Sequence, residues 1–152
     1  AQVVARLFNM VQPQLAVFGR KDYQQLQVIR YMATEMSFPV EIIPAPTLRE
    51  ESGLAMSSRN QYLSIEDRVT AAEIYRTLQM MRESYLQGIA AEQIEQKAYE
   101  RLQSFGFDVD YAELRSAELG SLARAQSSKR VALIAARLGL TRLIDNIEFE
   151  SR

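Results

Sequence analysis

The sequence predicts an α/β segment over residues 1–48 and a small α+β domain over residues 49–152. The α+β domain is expected to contain two helices and a three-stranded antiparallel sheet. Helical and short apolar segments alternate in the first part, two amphipathic helical patterns lie between Ser64 and Ser104, and three strand patterns follow Gly106. Alternating elements with short connections are typical of doubly wound parallel sheets, whereas helices followed by strands indicate an α+β domain.

The α/β segment reads as helix, strand, helix and strand. Apolar residues recur at helical spacing from near the start, and this pattern ends before Pro13. Leu15–Phe18 is a short apolar run of the kind that is buried on both faces of a parallel sheet. Asp22 is placed to cap a helix over residues 23–36, and residues 40–43 form the second strand. The segment is too short for an independent domain of this type, so we expect upstream sequence to be missing.

The α+β domain begins after a loop-like stretch. Ser64 and Asp67 form a capping-box pattern at the start of a helix that ends near Gly88, and a second helix covers residues 90–104. The apolar alternation that begins at Phe107 changes parity after Tyr111, which indicates a β-bulge or an early strand end. The run Val131–Ala136 is apolar on both faces and predicts a central strand, with Thr141–Phe149 as the returning strand. The connector from Ser116 to Ser128 is ambiguous.

Composition excludes several classes of function. The 152 residues are 47% hydrophobic and 24% charged, and the net charge of −1 comes without a basic block, which argues against a nucleic-acid partner. The absence of cysteine and histidine excludes disulfides, Ser-His and Cys-His catalysis, and thiolate or imidazole metal sites within the chain. No apolar run is long enough to span a bilayer and no signal-peptide pattern is present, so the sequence predicts a soluble, cytoplasmic protein without a membrane partner.

The first candidate binding loop follows the predicted strand that ends at Phe18. In open parallel sheets, ligands bind outside the carboxyl ends of the strands, where the next helix points its N–H groups outward. Gly19 allows close approach of the backbone to a ligand, and Lys21 supplies a positive charge for phosphate. Asp22 is suited to cap the helix, hold a metal-bound water or orient Lys21, and Gln25 can bind a small carboxylate or hydroxyl ligand. Taken alone, this stretch fits an ordinary surface loop with a capping aspartate better.

The second candidate loop spans residues 50–60. It combines a flexible Gly53 turn, the hydroxyls of Ser57 and Ser58, and the guanidinium of Arg59, and such donors together form a cradle for a polyanion. Alone, this stretch also fits a polar loop ahead of a helix. The two loops together resemble class I aminoacyl-tRNA synthetases and their nucleotidyl-transferring relatives, whose Lys-Met-Ser-Lys-Ser-type loop stabilises a triphosphate. We expect both loops to face one nucleotide triphosphate.

Read in full, four motifs resemble the pantothenate synthetase family and span the whole chain in order: Phe18–Gln25, Pro46–Glu50, Gly53–Asn60 and Thr141–Asn146. The resemblance implies an ATP-dependent condensation of (R)-pantoate with β-alanine through a pantoyl-adenylate, with release of AMP and pyrophosphate. It implies that residues 1–48 end a Rossmann-type ATP-binding domain and that residues 49–152 close over ATP. It also implies a cytoplasmic enzyme that is a homodimer through its N-terminal domain.

The resemblance assigns roles to individual residues. Lys21, Ser57, Ser58 and Arg59 are the expected catalytic group, and Gln25 matches a glutamine that binds pantoate. Magnesium would bridge the ATP phosphates. The expected ATP-binding residues are Gly19, Arg20, Lys21, Asp22, Leu48 through its backbone at the adenine, Met56, Ser57, Ser58 and Arg59.

Two departures from the family pattern are visible. Arg20 stands where the family commonly has glutamate, which places a positive charge beside the triphosphate. The histidine-containing segment that holds ATP from the N-terminal side is absent, so the chain alone is expected to be inactive or nearly so. Two alternatives stay open: another adenylate-forming enzyme of the nucleotidyltransferase superfamily that uses a different acid, and a non-catalytic module such as a dimerisation or tRNA-anticodon domain.

Overall fold

The computed structural model describes residues 1–124 and 127–151, and the chain divides into two compact units, Ala1–Thr47 and Leu48–Arg152. The first unit is a small parallel sheet with helices, and the second is a three-stranded antiparallel sheet with two main helices, as the sequence predicts. The assignment of the units to an ATP-binding domain and a closing domain stays a prediction.

The first unit consists of α1 (Gln2–Val11), β1 (Leu15–Gly19), α2 (Tyr23–Glu35) and β2 (Glu41–Ala45). The two strands pair in parallel over their whole length. All four elements lie where the sequence predicts them. A small core joins them, in which Phe8, Ile29 and Met32 are buried and Phe18 and Phe38 pack edge-on against the Phe8 ring.

The prediction that β1 is buried on both faces is wrong for this chain. Ala16 and Phe18 pack against the small core, but Leu15 and Val17 are 56% and 65% exposed. Successive side chains of a strand point to opposite faces, and the helices of this unit cover one face of β1. An apolar run therefore does not reveal how many of its faces are covered within a given chain.

The second unit begins with an irregular segment and continues through helices to the sheet. Residues 48–56 form a hairpin, and Ser58–Tyr62 is a short 3₁₀ helix within the stretch that the sequence suggests is loop. The regular elements that follow are α3 (Ile65–Ala71), α4 (Glu73–Leu86), α5 (Ala91–Ser104), β3 (Asp108–Ser116), β4 (Lys129–Leu138) and β5 (Thr141–Glu150).

The single helix predicted from Ser64 to near Gly88 is two helices in the structure. Ser64 caps α3 as predicted, because its hydroxyl accepts the Asp67 N–H at 3.0 Å. The chain then breaks at Ala72 and restarts as α4. The first residue of α4, Glu73, is buried, and its carboxylate pairs with Arg76 and with Arg101 of α5. The break is therefore associated with tertiary contacts that the local pattern does not contain.

The antiparallel sheet has the predicted order, with β4 between β3 and β5. The pairing of β3 with β4 shifts register between Val109 and Tyr111, which confirms a bulge in this strand but places it just before Tyr111 and not after it. Val131–Ala136 are buried, as expected for a central strand. The ambiguous connector contains a 3₁₀ turn at Leu122–Arg124, and its residues 125–126, like Arg152, lie outside the described part.

The main core lies between this sheet and α4 and α5. Its fully buried large side chains include Leu78, Met81, Ile94, Leu102, Leu114 and Ile134. Among the described helices, none combines the length and the apolar character needed to cross a membrane.

Candidate functional site

The first loop lies at the carboxyl ends of both strands of the first unit. The Arg20 N–H donates to the Ala45 carbonyl at 2.8 Å, which continues the pairing past the end of β1. Asp22 caps α2, because its Oδ1 accepts the Gln25 N–H at 3.2 Å. Of the roles considered for Asp22, capping is therefore the one observed.

The predicted residues of this loop surround the start of α2. Gly19, Arg20, Asp22 and Gln25 are exposed, and Lys21 is half-buried. A Cβ on Gly19 would meet no atom within 4 Å, so the backbone there is open to close approach. The arrangement places a lysine and exposed backbone at a helix N-terminus, where partial positive charge favours anions.

The second loop begins with the hairpin of residues 48–56, which three backbone hydrogen bonds hold together. The Met56 N–H donates to the Leu48 carbonyl at 2.8 Å, and the Glu50 N–H donates to the Leu54 carbonyl at 2.9 Å. The turn is closed by a bond from the Gly53 N–H to the Glu50 carbonyl at 2.9 Å. The hairpin thus brings together Leu48 and Met56, which are both exposed. The family resemblance implies a place for Leu48 at the adenine and for Met56 at the start of the second ATP loop, and these roles stay predictions.

The remaining predicted residues lie on the 3₁₀ helix that follows directly. Ser57 is its N-cap, and its Oγ accepts the Arg59 N–H at 3.2 Å. A hydroxyl that accepts in this way still carries its own hydrogen and can donate it to a ligand. Ser58 and Arg59 are exposed. The structure therefore gathers Leu48 and Met56–Arg59 into one segment of the second unit.

A buried asparagine ties this helix to the hairpin. The Asn60 side-chain nitrogen donates to a Glu50 carboxylate oxygen at 3.0 Å and to the Ala55 carbonyl at 3.1 Å. Asn60 is 2% exposed, so its bonds are made away from solvent. The sequence includes Asn60 in its central motif but gives no indication of this role.

An arginine anchors the hairpin to the sheet and to α4. The Arg49 guanidinium donates to both carboxylate oxygens of Asp145 on β5, at 2.5 and 3.0 Å, and to the Gly53 carbonyl at 3.1 Å. It also lies over the ring of Tyr75 on α4, 3.8 Å from the ring centre. Arg49 and Asp145 are both in motifs quoted from the sequence, but a contact across 96 positions has no signal in one sequence.

A cleft of about 540 Å³ lies beside the second loop. Arg59, Tyr62 and Leu63 form one part of its wall, and the turn between β4 and β5 forms another. Leu140 at the tip of this turn is fully exposed. In the part of the chain that the structure describes, no group of three acidic side chains gathers in a way suited to hold a metal ion. The second loop beside this cleft offers the hydroxyls of Ser57 and Ser58 and the guanidinium of Arg59 as hydrogen-bond donors, and such groups suit phosphate.

Comparison with known proteins identifies relatives over nearly the whole chain. A family profile described as pantoate-beta-alanine ligase matches residues 1–148. The pantothenate synthetase of Stenotrophomonas maltophilia (strain K279a) is 60% identical over 147 residues, which are 97% of this chain and 52% of that protein. The pantothenate synthetase of Xylella fastidiosa (strain 9a5c) is 55% identical over 148 residues, which are 97% of this chain and 53% of that protein.

Solved structures show the same relationship. The crystal structure of pantothenate synthetase from Thermus thermophilus matches with a TM-score of 0.87 and 46% identity, covering 95% of this chain and 53% of that one. A pantoate-beta-alanine ligase from Francisella tularensis, complexed with beta-gamma ATP and β-alanine, matches with a TM-score of 0.69 and 27% identity, covering 95% and 47%. These relatives are ligases. The chain belongs to the pantoate-beta-alanine ligase family and spans about half the length of the relatives it matches.

Proposed function

We propose that this chain supplies the C-terminal part of an enzyme that condenses (R)-pantoate with β-alanine at the expense of ATP. The reaction proceeds through a pantoyl-adenylate and releases AMP and pyrophosphate. The observation that carries the proposal is the hairpin of residues 48–56, which joins Leu48 directly to the donor segment Met56–Arg59. The Francisella tularensis relative, which was solved with an ATP compound and β-alanine, supports the choice of ligands.

The chemistry requires stabilisation of negative charge more than proton transfer. Attack of the pantoate carboxylate on the α-phosphate builds charge on the phosphoryl oxygens and on the departing pyrophosphate. We assign the stabilisation of this charge to Lys21, Arg59 and the hydroxyls of Ser57 and Ser58, because preorganised donors act most strongly where charge develops. β-Alanine then attacks the adenylate carbonyl through its amine, and AMP leaves.

We assign the remaining predicted site residues to the binding of ATP and pantoate. Gly19, Arg20 and Asp22 complete the first ATP loop, the Leu48 backbone meets the adenine, and Gln25 binds pantoate. Arg20 adds a positive charge at this exposed position, where glutamate is common in the family.

Magnesium fits this residue set as an ion carried by the substrate. It is usually held by phosphates and one or two carboxylates, and Asp22 is the one carboxylate of the first loop. Bound there, magnesium would neutralise phosphate charge. One Asp22 oxygen already caps α2, so the protein contribution to such a site is small.

The cellular setting belongs to the same proposal. We place the enzyme in the cytoplasm, acting on the small molecules pantoate, β-alanine and ATP, without a nucleic-acid or membrane partner. We expect the complete enzyme to be a homodimer, which its mass in solution by light scattering will test.

The test is pantoate-dependent exchange of labelled pyrophosphate into ATP, measured in a chimera. In this chimera the chain replaces the matching half of the Stenotrophomonas maltophilia relative, with which it shares 60% identity. We expect exchange that needs pantoate and that falls about a hundredfold in Lys21→Ala, since one lost charge-stabilising donor costs about 3 kcal/mol. Lys97→Ala, an exposed lysine of α5, is the matched control and retains full exchange.

The alternative outcomes separate the competing functions. Exchange with another carboxylate but not with pantoate would keep adenylate formation and reject the substrate. Absence of exchange with any acid would favour a non-catalytic module. The 152-residue chain by itself is expected to form no measurable pantothenate, and formation at an ordinary rate would contradict that expectation.

A further inference from the structure

We propose that Arg49, Asp145 and Tyr75 form a positioning clamp for the ATP-contacting segment of the second unit. This inference rests on the proposed function, because it assigns the clamp a role in ATP use. Arg49 lies next to Leu48 in sequence, and its side chain is directed to Asp145 on β5 and to Tyr75 on α4.

The clamp is built for geometric precision. Two parallel N–H···O bonds between a guanidinium and a carboxylate fix both distance and orientation, which a single ammonium cannot do. The Asp145 side chain is 4% exposed and the Arg49 side chain is 19% exposed, so the pair is shielded from competing water. The guanidinium carbon of Arg49 lies over the Tyr75 ring, 3.8 Å from its centre, which suits a cation–π contact.

The clamp fixes the hairpin at both of its strands. Arg49 lies on the first strand and forms a bridge with Ala55 on the second. Its bond to the Gly53 carbonyl holds the turn as well. Leu54 and Ala55 are each 4% exposed, so the second strand is also anchored in the core.

The fixed hairpin in turn sets the position of the donor residues. Leu48 and Met56 are bonded to each other at the open end of the hairpin, and Asn60 connects the following 3₁₀ helix back to Glu50 and Ala55. A displacement of the hairpin therefore moves the Leu48 backbone and the Ser57–Arg59 donors together. Exposed donors of this kind depend on such support, because they have little packing of their own.

The kinetic test uses Arg49→Lys in the chimera described above. Lysine keeps a positive charge beside the buried Asp145 and so avoids an uncompensated charge, but it loses the paired hydrogen bonds and the contact of the guanidinium with the Tyr75 ring. We expect kcat/KM for ATP to fall about a hundredfold, since a misplacement of about 1 Å can cost that much. KM for pantoate should change less than about twofold, because Gln25 lies in the first unit.

Two controls separate positioning from general loss of structure. Arg115→Lys alters another paired arginine of the second unit, which contacts Glu113 at 2.9 Å, and should leave the ATP kinetics unchanged. Tyr75→Leu should lower kcat/KM for ATP, whereas Tyr75→Phe, which keeps the aromatic ring, should leave kcat/KM near the value of the unmodified chimera. A loss in Arg49→Lys that affects pantoate and ATP equally, or that is matched by Arg115→Lys, would overturn the proposal.

Hydrogen exchange in the 152-residue chain tests the clamp without any catalysis. The N–H groups of Glu50, Gly53 and Met56 are bonded within the hairpin. They should exchange about tenfold faster in Arg49→Lys than in Arg115→Lys, and unchanged rates would overturn the clamp. The two proposals can also fail separately. If the unmodified chimera shows no pantoate-dependent exchange of pyrophosphate into ATP, but the hydrogen exchange of these amides still rises in Arg49→Lys, the proposed function fails while the role of the clamp in holding the hairpin stands.

Discussion

At the scale of single residues, Gly53 is the position where the hairpin has the least freedom to vary. Its φ of +92° is in the region that favours glycine. A Cβ at this position would come within 2.6 Å of Tyr75 Cδ1, closer than packed atoms allow. The same Tyr75 ring supports the Arg49 guanidinium, so it cannot move aside without loosening that contact. Gly53 thus serves both the turn and the clamp.

We predict that Gly53→Ala destabilises the second unit by about 2–4 kcal/mol, from about 1 kcal/mol of backbone strain and the rest from overpacking. Gly106→Ala is the matched control, because Gly106 has a φ of +84° but no atom within 4 Å of a Cβ. It should lose about 1 kcal/mol only. Urea unfolding followed by circular dichroism measures both, and equal losses in the two variants would show that the approach of Tyr75 is unimportant.

At the scale of elements, the start of α2 carries both a helix cap and residues that we propose bind ATP and pantoate. The carboxylate of Asp22 satisfies an N–H of the first turn, and the same turn carries Gln25. A cap of this kind requires an oxygen acceptor and not a charge. Substitution can therefore separate the capping role of Asp22 from the role of its negative charge in the proposed ATP loop.

We predict that Asp22→Asn leaves the stability of α2 within about 0.5 kcal/mol, because asparagine caps as well as aspartate. Asp22→Ala should cost about 1 kcal/mol, because it removes the acceptor. Hydrogen exchange of the α2 amides, with Glu35→Ala at the opposite end as control, measures the difference. Equal losses in the Asn and Ala variants would mean that the charge matters more than the cap.

Elements with local signals were predictable, and features that depend on distant contacts were not. The cap at Ser64, the bulge after Val109 and the central strand Val131–Ala136 each follow from residues close in sequence. The break at Ala72 does not, because the neighbouring Glu73 pairs with Arg101 across 28 positions.

The candidate site divides in the same way. The sequence predicts that Ser57 and Arg59 belong to one loop, since they are near neighbours, and the structure has them at the start of one 3₁₀ helix. It does not predict what holds that loop in place. The anchor is Asp145, which lies on β5 far along the chain, and its acidity alone does not distinguish it from the other carboxylates in the sequence.

At the scale of the whole molecule, the two units differ in how much apolar surface each buries. The second unit has a continuous core between the sheet and α4 and α5, whereas the first has a small cluster around Phe8, Ile29 and Met32. Several large apolar side chains of the first unit are exposed instead: Val3, Leu7, Met10, Val11, Leu15 and Val17. A unit of this size with so little buried surface is marginally stable by itself.

We predict that the chain unfolds in two steps, with residues 1–47 losing structure at lower urea than residues 48–151. Buried apolar area sets the stability of each unit, and the first unit has far less of it. Hydrogen exchange along a urea series resolves the steps. Ile29→Ala and Leu78→Ala, each expected to cost about 2–5 kcal/mol, should each move the step of their own unit and leave the other in place. A single transition that both variants shift equally would contradict this prediction. It would mean that the two units unfold together, and that the exposed apolar side chains of the first unit do not make that unit less stable than the second.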